Sequence, residues 1–349
     1  MPLRDWLLRA VGRAPRRETG KPTITRGHHT HIIILDGTMS SLDEGEESNA
    51  GLLYKLLSEE GPKKGLTLYY EAGIQWRDWS RTWDVITGRG INRQIQRAYG
   101  VLASRYREGD RIFLVGFSRG AYAARSLAGV IDQIGLLKNT DATERNIREV
   151  YRHYRYGTGS AAAQVFAERH CHPAVVIEAV AVWDTVKALG LRLPLLWRLL
   201  PQKHEFHNHA LGPAIRNGFH ALALEERRMA YAPILWRCDP AWAGRMEQVW
   251  FRGTHGDVGG QLGGHEEARP LSNIPFAWIV GRLELCGLDL PDNWRARYAQ
   301  DADAPSIGAW RGWSKLFLFR RRRVVGRDPS ERLHETALAT PEIGLVLAD

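Results

Sequence analysis

Cysteine is scarce in this chain of 349 residues, and the three that occur, Cys171, Cys238 and Cys286, are far apart. An odd number at these separations provides neither a disulfide framework nor the paired spacing of a structural zinc site. A small disulfide-stabilised secreted domain is therefore excluded, and a reducing compartment is the simplest expectation. We expect no metal and no cofactor.

The chain also lacks any run of about 18 consecutive apolar residues, so no transmembrane helix is predicted. Residues 1–27 form a basic N-terminal arm with apolar residues at helical spacing. The arm lacks the uninterrupted apolar core and the cleavage site of a secretory signal. We therefore expect a cytoplasmic protein, with export by a non-classical route left open.

Acidic residues are outnumbered, which leaves a formal net charge of +9. Much of the excess lies in the arm and in Phe319–Arg323, which contains four consecutive arginines. Trp310, Trp313 and Phe317 lie close to this second segment, so peripheral contact with an anionic membrane is one interpretation. A solvated basic edge is the other. No nucleic-acid-binding motif accompanies the charge, so no nucleic acid partner is expected.

Short apolar runs alternate with helical patterns along the chain. Strands are predicted within residues 31–36, 66–70, 110–120, 174–186 and 247–260, and helices within 91–107, 121–137 and 271–287. Ser272 or Asn273 is the expected cap of the last helix. The alternation predicts an α/β fold with a mostly parallel central sheet and helices on both faces. Ligands bind beyond the carboxyl ends of such strands, where four polar, glycine-rich loops are expected to meet.

The strongest local signal is Gly116-Phe117-Ser118-Arg119-Gly120, between a predicted strand and a predicted helix. Gly-x-Ser-x-Gly in this context is the nucleophile elbow of α/β hydrolases. The turn is tight, so the residues two before and two after the serine must be small, and the hydroxyl is raised above the sheet. The dipole of the following helix favours developing negative charge. Ser118 is thus the predicted nucleophile of an α/β-hydrolase-like fold.

A serine hydroxyl needs a base within hydrogen-bond reach and a carboxylate that orients the base. In this fold the order along the chain is serine, acid, histidine. Asp184 and His255 each follow a later predicted strand, so Ser118, Asp184 and His255 are the predicted triad. Two rivals stay open: Asp257 as the acid or as a brace of its loop, and His334 as the base.

Two histidine clusters invite a metal-binding interpretation. Their spacing is mixed, and most such histidines are surface residues, so no metal site is predicted from them. The clusters are His28, His29 and His31, and His204, His207 and His209.

The loop after the first predicted strand raises another possibility. Asp36, Gly37 and Thr38 match the second half of the Asp-x-Asp-Gly-Thr pattern of haloacid dehalogenase phosphatases, but Ile34 stands where that nucleophile would be. In an α/β hydrolase, a loop after an early strand supplies one oxyanion-hole amide, and the residue after the nucleophile, Arg119, supplies the other. Gly37 or Thr38 is predicted to supply the first, with Asp36 bracing the loop.

Together, eight segments carry a resemblance to a known family: LDGT, YYEAGIQW, GRGINRQIQRAYGVL, GDRIFLVGFSRGAYAARSLAGVI, VWDTVKALG, HALALEERR, WFRGTHGDVGG and LSNIPFAWIV. Over residues 30–340 the sequence resembles the uncharacterised α/β-hydrolase domain family that includes one class of type VI secretion phospholipase effectors. The resemblance implies a triad at Ser118, Asp184 and His255, and carboxylic-ester hydrolysis. It also implies phospholipids as the substrate of the secreted members.

The resulting hypothesis is a serine esterase or lipase with residues 28–340 as its catalytic domain. Residues 187–246, between acid and base, are predicted to include an inserted lid-like region; its apolar segment 189–200 is either lid or ordinary core. One alternative is a non-catalytic membrane-associated module on a hydrolase scaffold. The other is a metal-dependent phosphatase built on Asp36 and Asp257. The acyl chain, the head group and any protein partner stay open.

Overall fold

A single large sheet runs through the protein. The computed structural model describes residues 17–19, 27–59, 61, 63–73, 89–186, 210–310, 315, 317–338 and 346–347. Eight of the described strands form the sheet in the order β1-β3-β2-β4-β5-β6-β7-β9. They are β1 (Arg17–Thr19), β2 (Thr30–Leu35), β3 (Leu66–Glu71), β4 (Arg111–Phe117), β5 (Ile177–Trp183), β6 (Asn217–Ala223), β7 (Arg245–Phe251) and β9 (Glu331–Leu333). All pair in parallel except β1 with β3. Two short strands, β8 (Val324–Val325) and β10 (Val346–Leu347), pair separately.

Helices cover both faces of the sheet. They are α1 (Asn49–Ser58), α2 (Arg89–Ala103), α3 (Ser118–Gln133), α4 (Glu144–Tyr156), α5 (Ala161–His170), α6 (His255–Gly259), α7 (Arg269–Leu285) and α8 (Glu335–Leu338). In β2, Ile33 and Leu35 pack in one core cluster with α2, α3 and α4, while Ile32 and Ile34 pack in another with α1 and α7. Both faces of the strand are buried, which explains its continuous apolar sequence.

The predicted fold class is confirmed as a mostly parallel, α/β-hydrolase-like sheet with helices on both faces. One helix boundary was wrong: α7 begins at Arg269 rather than near Ser272, and Pro275 lies inside the helix. Pro270 already occupies the first turn, where its missing N–H costs nothing, so it can start the helix earlier than Pro275 would. None of the described helices has both the length and the apolar run needed to cross a bilayer.

Two predicted regions are only partly described. Within the basic arm, residues 17–19 form the antiparallel edge strand β1. Within the predicted lid-like region, 187–209 lie outside the described residues, and with them the apolar segment 189–200. Residues 217–223 of the same region form β6, a strand inside the sheet.

A buried histidine links two neighbouring strands at the edge where the polar loops meet. His220 in β6 accepts a hydrogen bond at Nε2 from the backbone N–H of Thr185, at 3.1 Å, just after β5. Its Nδ1 lies 3.4 Å from Gln248 Oε1 in β7. Burial, reinforced by the charge of Arg125, lowers the pKa of His220 to about 3. The imidazole is therefore neutral in the folded protein near pH 7.

This pKa makes stability depend on pH. His220 binds a proton in the unfolded chain below about pH 6.5, but not in the folded protein until about pH 3, so its contribution is lost progressively as the pH falls between those values. From about pH 7.5 to about pH 5 the loss is on the order of 2 kcal/mol. We expect His220→Gln to reduce the fall in unfolding free energy over that interval by this amount, measured by urea denaturation. An equal fall in both proteins would contradict the prediction.

Candidate active site

Ser118 lies in a strained turn between β4 and α3. Its φ of +57° is in the left-handed region, which a non-glycine residue enters only at a cost of roughly 1–3 kcal/mol. A Cβ on Gly116 would lie 2.6 Å from the carbonyl oxygen of Gly120, and one on Gly120 would lie 2.1 Å from that of Leu35. Both positions therefore require glycine, for the steric reason expected from the sequence.

The structure brings Ser118, His255 and Asp184 together at the carboxyl edge of the sheet. His255 Nε2 lies 2.8 Å from Ser118 Oγ, and His255 Nδ1 lies 2.6 Å from Asp184 Oδ2. All three side chains are buried. They follow β4, β7 and β5 respectively, so three parallel strands deliver them to one point.

The imidazole of His255 is held between two aromatic rings. Phe117 and Tyr231 each have their ring centroid 4.9 Å from it, and Tyr231 meets it edge to face. Its backbone N–H donates to Glu226 Oε2 at 3.3 Å. Glu226 is buried and paired with Arg228, whose guanidinium stacks over the ring of Tyr231. The imidazole is therefore fixed by packing as well as by hydrogen bonds.

Asp184 has a charged partner, Arg323, in addition to its hydrogen bond with His255. Arg323 donates from Nη1 to Asp184 Oδ1 at 2.5 Å and from Nη2 to Oδ2 at 2.9 Å, a bidentate pair that is buried on both sides. The backbone N–H of Ala223 also donates to Oδ1, at 3.0 Å. Burial alone raises the pKa of Asp184, but the charge of Arg323 and the hydrogen bond with His255 outweigh it and hold that pKa well below its usual range.

Sequence reasoning missed the role of Arg323, because it treated the four arginines as one basic edge. The structure separates them: Arg323 is buried against Asp184, whereas Arg320 stacks over the ring of Trp310, 57% of which is exposed. Phe319 is also exposed, while Trp313 lies outside the described residues. The run of four charges carries no signal that marks which one is buried, since burial depends on where β8 and its neighbours fold.

Asp36 is a buried brace of the loop after β2. Its carboxylate accepts hydrogen bonds from Ser48 Oγ at 2.6 and 2.7 Å, from Tyr70 Oη at 2.7 Å and from the Gly37 N–H at 2.6 Å. Ser48 is the N-cap of α1, so Asp36 links the loop to that helix. Burial raises the pKa of Asp36, although these hydrogen bonds lower it. Since Asp36 already accepts the Gly37 amide, the Thr38 amide is the remaining donor of the predicted pair.

The rival site residues occupy other positions. Asp257 accepts from Thr254 N and Oγ1, both at 2.7 Å, from Ser306 Oγ at 2.6 Å and from Ile307 N at 2.9 Å, so it braces the loop before His255. His334 stacks on Phe251 and contacts Thr336 Oγ1 at 2.9 Å. Neither contacts Ser118.

The first histidine cluster lies at the opposite, amino end of β2. His31 pairs with Asp110 at 2.9 Å, His29 with Thr67 Oγ1 at 2.9 Å, and His28 with the Gly109 carbonyl at 3.0 Å. The residues 204, 207 and 209 lie outside the part of the chain that the structure describes. No three potential metal ligands come together among the described residues.

Individual relatives and solved structures are distant and partial matches. An uncharacterized protein of Saccharomyces cerevisiae is 28% identical over 223 residues, 56% of this chain and 31% of that protein. An uncharacterized protein from Pseudomonas aeruginosa has a crystal structure with a TM-score of 0.43 and 15% identity, over 80% of this chain and 52% of that one. The structure of the Tle1 effector bound to the VgrG spike of the type VI secretion system has a TM-score of 0.35 and 16% sequence identity. That match covers 69% of this chain and 55% of the effector chain. The chain thus spans about a third of the yeast protein and about half of each solved chain.

The model of one protein family matches well over half of the chain. It describes the catalytic domain of Tle1-like phospholipase effectors of type VI secretion systems and matches residues 29–282. That range contains Ser118, Asp184 and His255 but ends before Arg323. The chain therefore belongs to the Tle1-like phospholipase effector catalytic domain family, whose hydrolases are of the lipase and phospholipase type.

Proposed function

We propose that this protein is a serine hydrolase that cleaves carboxylic esters of phospholipids, with Ser118, His255 and Asp184 as its catalytic triad. The observation that carries the proposal is the continuous hydrogen-bonded chain from Ser118 Oγ through both ring nitrogens of His255 to Asp184 Oδ2. Among the residues that the structure describes, His255 is the group that contacts the Ser118 hydroxyl and could accept its proton during attack.

The proposed reaction begins when Ser118 Oγ attacks the acyl carbonyl while His255 Nε2 takes the hydroxyl proton. Asp184 orients the imidazole and stabilises the imidazolium that forms. His255 then donates the proton to the leaving alcohol as the acyl bond to that alcohol breaks. A water molecule, deprotonated by the same nitrogen, cleaves the acyl-serine and regenerates Ser118.

Two backbone amides are suited to hold the oxyanion. The N–H of Arg119 follows the nucleophile in the first turn of α3, where helical amides have no intrahelical partner. The N–H of Thr38 has no hydrogen-bond partner among the described residues, unlike that of Gly37. Each such donor contributes roughly 3–4 kcal/mol to transition-state stabilisation. The braced Asp36 keeps the second donor in place without taking part in the chemistry.

Ser118→Ala tests the nucleophile. We expect it to reduce turnover roughly a million-fold, because no other group can form the acyl intermediate. Turnover is measured on short-chain nitrophenyl esters and on phospholipid vesicles. Ser104→Ala is the matched control, since its hydroxyl only donates to the Val101 carbonyl at the end of α2. Unchanged turnover in purified Ser118→Ala would overturn the mechanism.

A second pair of variants tests the base. We expect His255→Gln to lose activity by at least roughly a thousand-fold, because proton transfer at Ser118 then has no acceptor. His334→Gln should stay close to wild type, since that ring stacks on Phe251 away from the serine. The measurement is kcat/KM with the same nitrophenyl ester. A larger loss of kcat/KM in His334→Gln than in His255→Gln would identify His334 as the base instead.

The surroundings of the triad support an anionic lipid substrate. A cavity of about 450 Å³ includes Thr254, the residue before His255, in its wall. Arg227, Arg252 and Arg320 line it together with a single acid, Glu225. Guanidinium groups are well suited to phosphate oxygens. Trp310, which also lines the cavity, is exposed, and so are Leu318 and Phe319, the two residues that precede Arg320 in the chain.

Arg227→Met tests this part of the proposal. We expect kcat/KM on phosphatidylglycerol vesicles to fall roughly tenfold, the loss of about one charge-assisted hydrogen bond. The short-chain nitrophenyl ester, which has no phosphate, should be hydrolysed within about twofold of the wild-type rate. Arg332→Met, an exposed arginine on β9, is the control. An equal loss on both substrates, or no loss on vesicles, would contradict the assignment of this cavity to the head group.

The same measurements discriminate the two alternatives. Vesicle binding without ester hydrolysis would favour a non-catalytic membrane-associated module. Activity that a chelator abolishes and Ser118→Ala leaves intact would favour a metal-dependent phosphatase. The geometry gives that last alternative little support, because the carboxylate oxygens of Asp36 and Asp257 already accept hydrogen bonds from their own loops and from neighbouring segments.

A further inference from the structure

Arg323 brings a positive charge into the buried acid side of the site. It comes from a segment beyond the family match, which ends at residue 282, and its side chain is almost fully buried. Besides Asp184, it donates to the carbonyl oxygens of Ala223 at 2.7 Å and Tyr231 at 2.6 Å. One guanidinium thus connects the acid, the end of β6 and the residue whose ring covers His255.

We propose that Arg323 is a positioning residue for the reaction. Its planar fork orients the Asp184 carboxylate toward His255, and its charge opposes premature protonation of the acid–base pair. The proposal rests on the proposed function, because it assumes that this pair serves Ser118.

The orientation argument follows from the four contacts of the carboxylate. Each oxygen of Asp184 accepts one N–H of Arg323, which fixes the carboxylate plane. Each oxygen makes one further hydrogen bond: Oδ1 accepts the backbone N–H of Ala223, and Oδ2 bonds to Nδ1 of His255. Bidentate pairing with arginine is geometrically specific in a way that a single ammonium contact is not. Without the fork, Asp184 can rotate, and Nδ1 loses its fixed partner.

The charge argument compares the site before and after it takes one proton. With Asp184 as a carboxylate, Arg323 as a cation and His255 neutral, the net charge of the site is zero. Uptake of one proton therefore gives the buried site a net charge of +1. Without Arg323 the pair starts at −1, and the same proton neutralises it. Burial favours the neutral arrangement in each case. Removing the cation should therefore let the free enzyme take up its inactivating proton at a higher pH, whichever of the two residues receives it.

The other ionisable groups near the pair leave this argument unchanged. His220 is kept neutral, since burial lowers its pKa to about 3. Glu226 and Arg228 form a mutual ion pair: their contact lowers the pKa of Glu226 and raises that of Arg228, in each case against the effect of burial. Tyr231 presents its ring edge to His255, and Arg119 lies near Tyr231. These groups are common to the wild type and to the variants below.

The experiment uses the full chain, a short-chain nitrophenyl ester and the pH profile of kcat/KM, with active sites counted by a fluorophosphonate that labels Ser118. For Arg323→Met we expect the acidic limb to move upward by about one pH unit. For Arg323→Lys, which keeps the charge but not the fork, we expect the limb to stay and the plateau of kcat/KM to fall about 10–100-fold. Arg327→Met, an exposed arginine four residues later, should match the wild type in both readouts.

If Arg323 had a merely structural role, its replacement would change the number of labelled active sites. The acidic limb of the pH profile and the plateau of kcat/KM per labelled site would then stay as in the wild type, and that result overturns the proposal. So does an unmoved limb in Arg323→Met or an unchanged plateau in Arg323→Lys. If Arg323→Met does not fold, Arg323→Gln replaces it in the pH profile, since it removes the charge but keeps a hydrogen-bonding group. Wild-type protein that neither hydrolyses ester nor reacts with the fluorophosphonate overturns both this proposal and the proposed function.

Discussion

A buried carboxylate that must remain charged, Asp184, is the constraint on which the rest of the site depends. An isolated carboxylate at this depth would cost several kcal/mol and would protonate instead. The protein meets this cost with an arginine fork, a backbone amide and the imidazole of His255. These partners come from segments far apart in the chain. The buried carboxylate therefore stays ionised in the folded protein only because β5, β6, the His255 loop and the segment before β8 bring those partners to it.

The other buried carboxylates of the carboxyl edge have a mechanical role. Asp36 ties the loop after β2 to the start of α1 and to Tyr70 in β3, and Asp257 ties the loop before α6 to residues 306 and 307. Glu226 holds the backbone of His255 and is itself held by Arg228. Each acid fixes one loop next to the serine through several donors at once. This rigidity suits the proposed reaction, in which the reacting atoms must stay within a fraction of an ångström of their productive positions.

Much of the fold was readable because its signals are local. The apolar runs of β2, β4 and β5 mark strands buried on both faces, and the glycines around Ser118 mark a turn in which a Cβ would collide with backbone. The start of α7 was misplaced because two prolines, Pro270 and Pro275, both suit a first turn, and only packing decides between them. At the loop after β2, the sequence left Gly37 and Thr38 as equal donors. The carboxylate of Asp36 distinguishes them by accepting the Gly37 amide.

By itself, the sequence determined five strands of the sheet (β2, β3, β4, β5 and β7), the elbow at Ser118 and the candidates for acid and base, since these depend on residue type, spacing and short-range sterics. It did not predict β6, which lies within the predicted lid-like region, or the edge strands β1 and β9. Only the tertiary structure decided that Asp184 and His255 meet Ser118, while Asp257 and His334 do not. Only the tertiary structure, too, set Arg323 apart from three neighbouring arginines of identical chemistry. The physical reason is that burial and pairing of a charge arise from contacts between residues far apart in the chain, 71 positions for Asp184 and His255 and 139 for Asp184 and Arg323, and no local pattern encodes which charge will leave water.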